Sequence, residues 1–161
     1  MYDSEKLTPE EIADNRRRAK EDMDSMFEKA KKNPIPIPKS IFIKEKRYSR
    51  MDIHSIRGGG IQDYLPHVDN KVVCACLRLD YNPEAPKAIL VGNNDNVVRW
   101  ANVFRDQSEF VPTFIKRADA EWEYIGDYRV KDFSEDPKVV ASHAKKANRD
   151  DVVQVLFLEA H

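Results

Sequence analysis

A chain of 161 residues is one domain by length, and it is large enough to bury most of its apolar surface. With 41% apolar and 34% charged residues it reads as globular, and a net charge of −1 gives no long-range pull on nucleic acid or on an anionic membrane. Electrostatic binding must therefore come from a local patch. The absence of an apolar run of about 18 residues or of a charged-then-apolar N-terminus reads as a soluble, intracellular protein, cytoplasmic or nuclear, with no membrane partner.

Residues 8 to 32 carry a helix pattern. Thr8, Pro9 and Glu11 supply an N-cap, a first-turn proline and a capping-box glutamate. Ile12, Ala19, Met23, Met26, Phe27 and Ala30 form a stripe too narrow for a core helix, so residues 1–33 are expected to be an amphipathic helix lying on a surface or on a partner chain. Pro34, Pro36 and Pro38 make 34–40 a linker, and 41–161 the compact α+β domain. Ile41, Phe42 and Ile43 suggest an edge strand. Ser49 and Asp52 cap a short helix ending at Gly58, in the basic segment that holds Lys44, Lys46, Arg47, Arg50 and Arg57. Gly58, Gly59 and Gly60 allow backbone to approach a ligand, but they match neither a phosphate loop nor a dinucleotide fingerprint.

Residues 71 to 80 read as one central strand. Cys74 and Cys76 share a face there, too far apart for a disulfide, and are expected to be small buried hydrophobes; one further nearby ligand, His67, makes no zinc signature. A turn through Tyr81, Asn82, Pro83 and Pro86 leads to a strand at 87–91. Asn93, Asn94 or Asp95 then caps a helix to about Gln107. Phe110 to Val130 is an aromatic hairpin broken at residues 117–120, with Trp122, Tyr124, Gly126 and Tyr128 at alternate positions and so on one face. Ser134 or Asp136 caps a helix with Pro137 at its start, and Val152 to Leu158 is a final buried strand. This mixed order predicts a small curved sheet or half-open barrel with flanking helices.

Residues 58–130, with GGGIQ, LDYNP, LVGN before a helix, PTFIK and WEYIGDYRV, resemble the PUA-like superfamily, and within it SRA-type domains and related domains beside restriction nucleases and helicases. That resemblance implies a nucleic-acid reader, on DNA in preference to RNA, that takes a flipped and often modified base into an aromatic pocket. By motif position it puts Gln62, Tyr64, Asp80, Tyr81, Trp122 and Tyr124 at the base, and Gly58, Gly59 and Gly60 in close backbone approach. Lys44, Lys46, Arg47, Arg50 and Arg57 would hold phosphates. No cofactor and no metal are implied. The chain departs from the SRA pattern in its weak basicity and in lacking a long basic finger loop.

The same aromatics also suit a core, and Asp80 suits a turn cap. Trp100 reads as core, His54 as a surface histidine, and His143 has no visible partner. No Gly-x-Ser-x-Gly elbow is present, and Glu121 and Glu123 mark a wet strand face as readily as an acid pair. Two other functions remain open: a protein-interaction or homodimerisation domain using the N-terminal helix, and a small hydrolase of a nucleotide-like substrate. A fused effector domain would also be a natural partner.

Overall fold

The computed structural model describes residues 8–10, 12–14, 16–17 and 41–161. The chain divides into two units, Met1–Lys39 and Ser40–His161. In the first, residues 9–10, 12–14 and 16–17 are helical. The Ile12 amide donates to the Thr8 carbonyl at 3.0 Å, closing the turn that Thr8 and Pro9 predict. The rest of the expected helix, with Met23, Met26 and Phe27, and the linker 34–40 lie outside the described residues, and so does any docking role for them.

The second unit runs β1 (Arg47–Tyr48), α1 (Arg50–Arg57), β2 (His67–Val68), β3 (Lys71–Val72), β4 (Ala75–Leu77), β5 (Ala88–Gly92), α2 (Asp95–Asp106), β6 (Val111–Ala118), β7 (Glu121–Ser134), α3 (Pro137–Lys146) and β8 (Val152–Ala160). The helices start where their caps predict. Ser49 and Asp52 close a reciprocal capping box on α1, Asn94 accepts from Asn96 and Val97 on α2, and Asp136 accepts from Lys138 behind Pro137 on α3.

Six strands form one mixed sheet in the order β4-β6-β7-β8-β5, with β1 added to β7. The pair β4–β6 is parallel and the others are antiparallel. The edge strands β4 and β5 do not pair, so the sheet is not closed into a barrel. The molecule is thus an α+β fold on a mixed sheet.

Burial follows from the two-residue period of the strands. On β5 and β8, Ile89, Val91, Leu156 and Leu158 face α2 with Ala101 and Phe104, while Ala88, Leu90 and Val155 face α3 with Val140. Both strands are therefore covered on two sides, and they read as unbroken apolar runs for that reason. At the other end of the sheet, Cys74, Cys76, Phe114, Trp122 and Tyr124 pack with Phe42 and Ile53 of α1.

Three expectations are corrected. Residues 41–43 form no strand: the chain bends, Phe42 inserts into the core at 5% exposure, and Ile41 and Ile43 stay outside at 62% each. Residues 71–80 are not one strand. Asp69 and Asn70 take positive φ (51° and 62°) in a tight turn that pairs β3 with β2, and the chain breaks at Val73–Cys74 before β4 joins the main sheet. The aromatics of β7 do not share one face. Phe114 pairs with Tyr124 but Thr113 pairs with Gly126, leaving Ile125 as an extra residue. This bulge reverses the alternation, so Trp122 and Tyr124 pack with Phe114 on one side and Tyr128 packs against the α2 core on the other.

Candidate functional site

A cleft of about 580 Å³ opens between α1 and the ends of β4, β6 and β7. Parallel pairing explains its position. Cys76 is level with Phe114 and Leu77 with Ile115, so β4 and β6 end side by side. One period further on, Arg78 and Lys116 emerge together on the face already occupied by Cys76 and Phe114. Trp122, paired with Lys116 across the hairpin, completes that wall. Ser49 at the cap of α1 with Arg50 and Met51 of that helix, then Ile61, Gln62 and Tyr64 after the glycines, form the opposite wall, and Tyr81 and Asn82 close the end.

Among the described residues, the lining carries three cations, Arg50, Arg78 and Lys116, and no carboxylate or histidine. Arg50 is fixed by backbone: its Nη2 donates to the carbonyls of Gly60 (2.9 Å) and Asp63 (2.8 Å), and its guanidinium lies 5.1 Å from the Trp122 ring centroid. Its Nε is buried with no hydrogen-bond partner among the described residues. Arg78 is ion-paired to Asp80 through two hydrogen bonds, and its guanidinium sits 4.8 Å from the centre of the Tyr81 ring. Lys116 lies 5.8 Å from the Trp122 ring centroid and 3.9 Å from the fully exposed Asp119.

The rings differ in role. Tyr81 is 52% exposed and offers its surface to the cleft, whereas Trp122 is only 7% exposed. The Tyr64 hydroxyl donates to the Val97 carbonyl at 2.6 Å, and burial raises its phenol against the pull of Arg149. At the floor, burial pushes the Cys76 thiol up to about 12, with the Arg50 charge opposing, so it stays a protonated, small apolar group. Cys74 behaves likewise: burial raises it, and both cysteines are free. Asn82, 5% exposed, uses its Oδ1 to accept from the Leu90 amide, which fixes the end wall.

Of the residues that the sequence points to, Gln62, Tyr64, Tyr81, Trp122 and Arg50 line this one cleft. Asp80 stands beside it, occupied by Arg78. Tyr124 lies beneath, 4% exposed, with its hydroxyl donating to Asp127 at 2.6 Å. Gly58, Gly59 and Gly60 are not in the lining. Gly59, at φ 80°, is pressed on its own chain, where a Cβ would come within 2.7 Å of Pro66. Lys46 sits over Tyr48, Arg47 pairs with Glu121, and Arg57 donates through Nε to the Val73 carbonyl. Lys44 lies against Gly126. None of these four lines the cleft.

Sequence reasoning missed Arg78, Lys116 and Asn82. The usable signal was a cation two residues beyond Cys76 and another two beyond Phe114, each continuing a buried strand face. Glu121 and Glu123 form no acid pair, since Arg47 and Arg117 each take one at 3.4 Å. Among the described residues no group of three or more metal-ligating side chains converges, and no helix is long and apolar enough to cross a membrane.

Residues 47–149 match the family described as Domain of unknown function (DUF6697), a span that holds every residue lining the cleft. No curated protein and no solved structure matches the chain.

Proposed function

We propose that this chain, which belongs to the DUF6697 family, is a nucleic-acid-binding module that takes an unstacked base into the cleft. DNA is favoured over RNA, and a modified base is the expected target. In this proposal the open mixed sheet is PUA-like and SRA-related. The observation that carries the proposal is the lining itself: among the described residues, three cations beside three aromatic rings, with the two amides Gln62 and Asn82 and no acid, in a volume of about 580 Å³. An anion attached to a flat π-system fits that chemistry, and a nucleotide unit is the common ligand of this kind. The volume lies within the usual range of small-molecule pockets, about 300–1,000 Å³.

In this reading Tyr81 stacks on the base, Gln62 and Asn82 read its edge, and Arg50, Arg78 and Lys116 neutralise the flanking phosphates. Trp122 acts indirectly, as the apolar support under the Arg50 guanidinium. With no carboxylate or histidine among the described residues of the lining and a thiol held protonated, the set is suited to capture more than to hydrolysis.

The test is a fluorescence-anisotropy titration of short cytosine, 5-methylcytosine and 5-hydroxymethylcytosine strands at two salt concentrations. Saturable binding tighter than about 100 μM at low salt is expected. Three phosphate contacts on a single strand give a slope of log K against log salt of about −2. Tyr81→Ala should weaken binding about 5- to 150-fold while leaving the thermal midpoint unchanged, because the ring is half exposed. Absence of saturation, or an unaltered affinity in Tyr81→Ala, would refute the assignment.

A further inference from the structure

The cleft is not isolated. Tyr64 also lines a second cavity of about 260 Å³, shared with Tyr81 and Asn82, and a third of about 380 Å³ on the α2 side. Its hydroxyl is anchored to the first turn of α2 at Val97, and Val97 lines both of those further cavities. The three spaces therefore share one fixed ring in their walls. The middle one is rich in neutral amides (Asn82, Asn93, Asn94), and its charged pair is self-satisfied, since Arg149 holds Asp151 through two hydrogen bonds at 2.8 and 2.9 Å.

The third cavity repeats the chemistry of the first. The imidazole of His67 stacks on Trp100 with centroids 3.3 Å apart and 12° between planes, and the exposed Arg99 guanidinium lies 5.1 Å from the same indole. His67 is held in place by Nδ1 against the Leu65 carbonyl at 3.0 Å. Asp63 is the one carboxylate among the described residues there. Core packing does not require a histidine–tryptophan stack that borders an open cavity beside an arginine, and both rings are only partly buried.

Resting on the nucleotide reading of the first cleft, we infer that the site continues into a track for single-stranded nucleic acid. One base enters the first cleft, the connecting sugar crosses the amide-lined middle cavity, and a neighbouring base stacks on the His67–Trp100 pair with Arg99 at its phosphate. Bases in a paired duplex face each other and cannot reach two separate cavities around Tyr64, so the ligand is a strand whose bases are unpaired.

The experiment compares thymidine monophosphate with thymidine di-, tetra- and octanucleotides and with a hairpin duplex, at one salt concentration. The affinity should rise about 5- to 150-fold between mono- and tetranucleotide, the value of one further stacked base. Trp100→Ala should remove that gain and leave monophosphate binding unchanged. Arg99→Gln, a surface change that spares the fold, should reduce the salt slope of the tetranucleotide by about 0.7 and that of the monophosphate not at all. Monophosphate binding without a gain in length, or a duplex bound as tightly as the tetranucleotide, would overturn the track but keep the first cleft. No binding of any probe would overturn both.

Discussion

Arg78 and Asp80 stand two residues apart beyond the end of β4, and their side chains close a two-armed ion pair, Nε to Oδ1 at 3.1 Å and Nη2 to Oδ2 at 2.7 Å. The hydrogen bonds from Arg78 hold the Asp80 carboxyl below the usual carboxylate range. Both groups are solvent-exposed, so the pair contributes little to folding, and its consequence lies in how much of the arginine remains for a ligand. Asp80→Asn keeps an acceptor and removes the competing charge. Affinity for an anionic strand should rise about 3- to 10-fold, the effect of deleting one like charge in a screened surface setting. Anisotropy titration beside a thermal melt checks this, with the midpoint unmoved. The sequence shows Asp80 as the end of a strand, but whether its carboxylate faces a ligand or a neighbouring arginine depends on a side-chain rotamer that sequence pattern does not encode.

At the scale of elements, β7 is the strand on which the sheet turns. Its first half pairs with β6 and with the short β1, and its second half with β8. The extra residue at Ile125 lets Trp122 face the α1 core while Tyr128 faces α2. Gly126, at φ 123°, takes the backbone conformation this requires. Space is not the obstacle to a side chain there, because the nearest atom to an added Cβ is the flexible Lys44 Cε at 3.4 Å. Gly126→Ala should therefore cost about 1–2 kcal/mol through backbone strain alone, read as a lower urea midpoint with an unchanged m-value. The hairpin itself was legible: aromatic and β-branched runs on either side of a polar break predict it. The bulge was not, because a glycine at an alternating position is consistent with continued alternation.

Across the whole molecule, the turn that carries Tyr81 and Asn82 is fastened to α3, far along the chain. Glu84 accepts from His143 and from Lys146, the latter at 3.1 Å, and so supplies the partner that the sequence does not reveal for His143. Burial raises the Glu84 carboxyl, but the His143 and Lys146 hydrogen bonds outweigh it and leave it below its ordinary value of 4.5. A depressed carboxyl stabilises the fold above the unfolded value and loses that contribution as pH falls through the folded one. Thermal midpoints of the native chain and of Glu84→Gln should differ at neutral pH and converge as acidification below 4.5 protonates the depressed carboxyl. A gap that stays constant until the fold is lost in acid would show that the tie is not ionic. Helix positions, their caps, the buried cysteines and the terminal strand follow from the sequence alone, because capping residues and apolar periodicity act over a few neighbouring positions. The parallel pairing of β4 with β6, strands some 35 residues apart, does not, since nothing local distinguishes a parallel partner from an antiparallel one. That pairing sets Arg78 and Lys116 side by side above Cys76 and Phe114, and with them the charge of the cleft.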